Sequence, residues 1–157
     1  MTSIVSSYGG YVLKYVGYIV FFASTFKLLA FDKSVQCAES MIAVIKNGIN
    51  PILDIYNYPE LHVKIGIDEG ENVIVQCGQS SLIDIVGYSM NITAKITSLT
   101  NPDKITIAEE VYEILRPEIK SKFMELRSNT ENCKYTDSRT IQALYIIIIR
   151  HRSPQGE

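Results

Sequence analysis

The chain has 157 residues, 46% hydrophobic and 20% charged, with 15 lysines and arginines against 17 aspartates and glutamates and a net charge of −2. These values exclude a disordered chain and suit one domain with a core of its own. They also argue against a nucleic-acid binder, which needs a basic face to replace phosphate counterions.

Residues 11–31 (YVLKYVGYIVFFASTFKLLAF) are the most apolar stretch near the start, interrupted by Lys14 and Lys27 with twelve residues between them. A membrane-spanning helix needs roughly 20. The β-branched and aromatic content predicts two buried strands instead, over 11–16 and 19–23, meeting at Gly17-Tyr18, and no membrane element. Asp32 or Ser34 is then placed to cap a helix whose buried face is Ala38, Met41, Ile42 and Ile45. Gly48, Asn50 and Pro51 weaken or end it, and a second helical stretch runs over 52–56.

Residues 61–68 (LHVKIGID) and 72–77 (NVIVQC) read as strands of a hairpin turning at Glu69-Gly70-Glu71, with Gly70 free to take a positive φ. Asp68, Glu69 and Glu71 read as solvated turn acids. A short strand over 82–86 leads through Gly87 to a helix from about Ser89, with Ile92, Ile96 and Leu99 as its apolar stripe and Asn101-Pro102-Asp103 as its stop. A strand over 104–107, a helix over 108–115 with acids in its first turn, and a helix from Pro117 to about Leu126 follow. Residues 128–132 form a polar loop, 143–149 (ALYIIII) a buried strand and 153–157 a flexible tail. This mixed order predicts an α+β fold, with helices packed on a mainly antiparallel sheet. Cys37, Cys77 and Cys133 form no CxxC pair and read as reduced thiols of a cytoplasmic protein. No GxxxxGK[ST] phosphate loop and no Ser/His/Asp or Cys/His constellation is present.

Four stretches, in order, carry a family resemblance. Residues 9–18 (GGYVLKYVGY) are similar to a GG-x-x-x-K-x-x-G-D hairpin, and 63–71 (VKIGIDEGE) to a GIHxGE hairpin. Residues 84–95 (DIVGYSMNITAK) are similar to D-x-x-G-x-x-V-N-x-A-x-R, and 102–115 (PDKITIAEEVYEIL) to the PGQILISEEVYELL segment after it. Together they resemble the class III nucleotidyl cyclase (adenylate/guanylate cyclase) catalytic domain. The resemblance implies a ferredoxin-like sheet of cyclase type. It also implies a single partial domain over 1–152 that lacks the family's first strand.

The chemistry implied is closure of a nucleoside triphosphate to a 3′,5′-cyclic monophosphate with release of pyrophosphate. The ribose 3′-oxygen attacks the α-phosphate in line. Two divalent cations, Mg²⁺ or Mn²⁺, activate the oxygen and neutralise the triphosphate. In the family the site lies between two cyclase domains arranged head to tail, so a homodimer or a heterodimer with another cyclase domain is implied.

By the resemblance, Lys14 and Asp84 read the base. A carboxylate accepts from adenine's amino group and repels guanine's O6, which favours ATP over GTP. Taken alone, Lys14 reads as a snorkelling strand lysine and Asp84 as a strand-end cap. Asn91 matches the asparagine that orients the ribose, and Lys95 stands where the family has an arginine on the α-phosphate. Spaced i and i+4, these two share one helix face. Lysine keeps the charge and loses the planar fork.

Two departures stand out. Tyr18 occupies the position of a metal-binding aspartate, and a neutral phenol does not replace a carboxylate as a Mg²⁺ or Mn²⁺ ligand. The first metal aspartate precedes the Gly-Gly pair in the family, whereas residues 1–8 (MTSIVSSY) hold no acid. The expectation is a domain that binds nucleotide, or completes a partner, but is inactive or very weak alone. Two alternatives stand beside it: an active cyclase represented by a truncated chain, and a non-catalytic module that dimerises through exposed sheet edges.

Overall fold

The computed structural model describes residues 1–14, 19–21, 27–76, 83–126, 134–136, 143–145 and 148–151. The expected loop at 128–132, the tail and the Gly17-Tyr18 turn lie outside them. The chain opens with helix α1 (Thr2–Ser7), which the sequence reading leaves without an element. Gly9, at φ 80°, turns it into strand β1 (Tyr11–Lys14), which pairs antiparallel with β2 (Ile19–Phe21) as expected.

Helix α2 (Lys27–Val44) begins well before Asp32 and Ser34, so neither caps it. Both are buried inside the helix: Ser34 donates to the Phe31 carbonyl at 2.8 Å, and Asp32 meets Arg116. Gly48, Asn50 and Pro51 weaken the helical run as expected, without stopping it. Proline lacks the N–H a regular turn needs, and the chain passes through a π-helical turn (Ile45–Ile49) into α3 (Asn50–Ile55). Asn50 is buried and acts as a strap, donating to the Leu61 carbonyl at 3.1 Å and accepting from the Leu61 N–H at 3.0 Å.

Strands β3 (Lys64–Ile67) and β4 (Val73–Gln76) form, but not as the expected hairpin. β3 pairs parallel with β6 (Lys104–Ile107), and β4 pairs antiparallel with β5 (Ile83–Val86). The reason is the crossover: α4 (Tyr88–Leu99) carries the chain back beside β3, so the next strand runs parallel to it. Helix α5 (Glu109–Ile114) follows as predicted, with Glu109 and Glu110 in its first turn. The helix expected from Pro117 to Leu126 is instead a short α6 (Pro117–Lys120) and a strand, β7 (Phe123–Leu126). The strand expected over 143–149 contributes to two described strands. β9 (Ala143–Tyr145) pairs with β8 (Lys134–Thr136), and β10 (Ile148–His151) lies between β6 and β7.

The main sheet therefore has the order β3-β6-β10-β7, with one parallel and two antiparallel pairings. The α+β class holds. Ile105 and Ile107 of β6, Val35 and Ala38 of α2, Ile92 and Ile96 of α4, Val111 of α5, and Phe123 form one buried cluster. Burying such a side chain contributes roughly 1.5–3 kcal/mol, so this sheet–helix contact is the main source of stability. A smaller cluster joins Val5 of α1 to Cys37 and Met41 of α2. Among the described residues no helix is long and apolar enough to cross a membrane.

Candidate functional site

Asp84, Asn91 and Lys95 lie on consecutive elements, β5 and α4, joined only through Gly87. Asp84 is half-buried, and its Oδ1 accepts from the Ile85 N–H at 2.7 Å. Strand alternation sets it opposite Ile85, which is buried. Along α4, Ile92 and Ile96 fill the core while Asn91 and Lys95 are exposed. The apolar periodicity of the helix thus turns an amide and a cation, one turn apart, outward. Lys14 ends β1, opposite Ile19 in the hairpin. Its side chain and Tyr18 lie outside what is described.

The joint between β5 and α4 is tightly built. Gly87 is extended, at φ −177°, and its Cα faces the chain at Glu71 and Asn72: a Cβ there would lie 2.9 Å from the Glu71 carbonyl oxygen. Gly70 does not take the expected positive φ. Its role is close approach, since a Cβ on it would lie 2.7 Å from the Ser89 Cβ. Asn72 accepts from the Ser89 hydroxyl at 2.8 Å and donates to the Gly70 carbonyl at 3.1 Å. Asn72 and Ser89 escape a motif reading. The signal that points to them is a helix beginning after a glycine, which has no side chain to cap it.

Of the three hairpin acids, Glu71 is exposed, but Asp68 is not a plain solvated turn acid. Burial pushes its carboxyl from the ordinary 3.8 up to about 6; a hydrogen bond from the Glu69 N–H opposes this, and the charges of Glu110 and Glu69 add to it. Among the described residues no three His, Cys, Asp or Glu side chains come together as metal ligands.

The sequence matches the family model for the adenylate and guanylate cyclase catalytic domain over residues 1–147. The chain belongs to that family. Solved cyclases share its fold. The adenylyl cyclase CyaB from P. aeruginosa is 19% identical with a TM-score of 0.73, over 98% of this chain and 76% of that one. The guanylyl cyclase Cya2 is 18% identical with a TM-score of 0.72, over 95% and 72%. The guanylate cyclase domain of RhGC from Catenaria anguillulae, solved in complex with GTP, is 16% identical with a TM-score of 0.66, over 98% and 78%. Among curated protein sequences none matches this cyclase-family chain.

Proposed function

We propose that this cyclase-family domain binds a nucleoside triphosphate, ATP before GTP, and does not by itself close it to the cyclic monophosphate. The observation that supports this reading is the contrast between two sets of positions. On the nucleotide side, Asp84 is half-buried on β5, and Asn91 and Lys95 are exposed one turn apart on α4. On the cation side, Tyr18 stands in place of a carboxylate.

Each nucleotide-side residue has a definite task. The Asp84 carboxylate accepts from the adenine amino group, with Lys14 as the second base reader. Asn91 orients the ribose. Lys95 holds an α-phosphate oxygen as a point charge, a weaker stabiliser of developing charge than a forked guanidinium. The domain pairs with a second cyclase domain, in a homodimer or a heterodimer, within cytoplasmic cyclic-nucleotide signalling; a heterodimer with a metal-competent domain supplies the cation ligands, whereas a second copy of this chain carries the same Tyr18. Residues 1–152 act as the single unit of that pairing. The β4–β5 hairpin supports association, because Val73, Ile74 and Val86 are 59–67% exposed on it.

The test is a cyclase assay with Mn²⁺ and ATP on the pure chain, repeated with a metal-competent cyclase domain added. The expected result is no cyclic nucleotide from the chain alone and turnover in the mixture that falls when Lys95 or Asn91 is replaced. Turnover by the chain alone refutes the reading.

A further inference from the structure

Helix α4 begins without a cap of its own. Gly87 precedes it in extended conformation, and no side-chain cap bond is made there. A glycine joint leaves the swing of the helix against β5 unfixed by local geometry. That swing matters, because Asp84 lies on one side of the joint and Asn91 and Lys95 on the other. The constraint comes from a different part of the chain. Asn72 accepts from Ser89, which is buried two positions before Asn91, and donates to the Gly70 carbonyl. The Asn72 Cα would lie 3.0 Å from a Cβ on Gly87. Three segments thus close on one side-chain amide: the β3–β4 connection, the β5–α4 joint and the first turn of α4.

We infer that Asn72 is a positioning residue of the nucleotide site: through Ser89 it sets the rotation and height of α4, and so places Asn91 and Lys95 against Asp84. The inference rests on the nucleotide reading of that site. Asn72 acts through the helix, and small displacements of binding groups cost large factors in affinity or rate.

The experiment titrates ATP calorimetrically into the purified chain and into the Asn72→Ala, Ser89→Ala, Ser89→Thr and Arg116→Ala variants. Asn72→Ala and Ser89→Ala each weaken ATP binding about tenfold, and the double variant weakens it no further than Asn72→Ala, because the bond between the two residues is already lost in that single variant. Ser89→Thr keeps the hydroxyl and restores the affinity. Arg116→Ala lowers stability away from the joint and leaves the affinity unchanged, a separation that a merely structural role for Asn72 does not produce. Unchanged ATP binding in Asn72→Ala, or in Ser89→Ala should the first variant not fold, overturns the inference and leaves the nucleotide reading standing. An equal loss in Arg116→Ala also overturns it. An unmodified chain that does not bind ATP overturns the nucleotide reading, and the inference with it.

Discussion

The carboxylate of Asp32, 2% exposed within α2, accepts both the backbone N–H and the guanidinium Nε–H of Arg116, which lies 84 positions later at the start of α6. The two partners are unequally buried, since the Arg116 side chain is 51% exposed. Removing one is therefore not equivalent to removing the other. Arg116→Ala leaves a buried carboxylate without its counter-charge and costs about 3 kcal/mol. Asp32→Ala frees a guanidinium that water can solvate and costs about 1–2 kcal/mol. Urea unfolding of both single variants and the double variant checks this; the double is expected to match Asp32→Ala more closely than Arg116→Ala.

Asp103 ends the turn between α4 and β6 at φ 57°, a left-handed conformation that Asp and Asn tolerate better than most residues. Its Oδ2 lies 2.7 Å from His62 Nδ1, and its Oδ1 accepts from the Val63 N–H at 3.1 Å. Burial opposes its ionisation, but the bonds from His62 and Val63 outweigh that and hold the carboxyl below its usual range. A lowered folded pKa contributes stability above the unfolded value and loses it as pH falls through the folded one. Asp103→Ala is expected to cost about 2 kcal/mol at neutral pH. Asp103→Asn keeps the backbone conformation and the Val63 bond, costs less, and flattens the stability slope below about pH 4. Chemical unfolding across pH 2–5 checks this: both variants lose the slope that the carboxylate contributes, and Asp103→Asn stays the more stable of the two.

At Asp68 the sign is opposite. Its carboxyl is raised to about 6, so between roughly pH 4 and 6 the folded chain holds more protons than the unfolded one. Stability therefore falls as pH rises through that window, and at neutral pH the ionised Asp68 is a standing cost. Asp68→Asn is expected to stabilise the domain by about 1 kcal/mol at pH 7, discounted for partial exposure, and by little at pH 4. Equal effects at both pH values in thermal unfolding would contradict this.

Local pattern revealed what local physics decides. Strand β6 occupies the residues its alternation marks, and the Ile92 and Ile96 stripe of α4 is buried as its 3.6-residue period requires. The misreadings share a cause: a local signal overridden by a distant partner. Asp32 and Ser34 resemble caps, yet Asp32 is held inside α2 by a residue far along the chain. Ile119 and Phe123 keep helical spacing and are both buried, but the chain turns after Lys120, and Phe123 reaches the same core from a strand. Glu69-Gly70-Glu71 looks like a hairpin turn, while β3 pairs with a strand beyond the α4 crossover. At the site, the spacing of Asn91 and Lys95 was readable from their i, i+4 pattern, whereas the Asn72–Ser89 bond spans 17 positions and follows no motif.

Thr106 is fully buried in β6, and among the described residues its Oγ1 is the buried side-chain polar atom left without a hydrogen-bond partner. An unsatisfied buried hydroxyl costs about 1–3 kcal/mol. Thr106→Val has nearly the same shape and is expected to be neutral or stabilising by about 1 kcal/mol. A clear loss on denaturant unfolding would show that the hydroxyl is satisfied in solution.

The base-reading role proposed for Asp84 makes a prediction independent of turnover. A carboxylate accepts and cannot donate, so it matches adenine's amino group and opposes guanine's O6. An amide at the same place does both and discriminates little. Asp84→Asn is therefore expected to lower the ratio of ATP to GTP affinity about tenfold, the size of one mismatched polar contact, roughly 1.4 kcal/mol. Much of the change should appear as tighter GTP binding, because a repulsion is removed. The carboxylate bond to the Ile85 N–H has a counterpart in the amide oxygen, so β5 keeps its local geometry. Competition titrations with the two nucleotides measure the ratio directly. If both affinities fall together, Asp84 supports the strand and does not read the base.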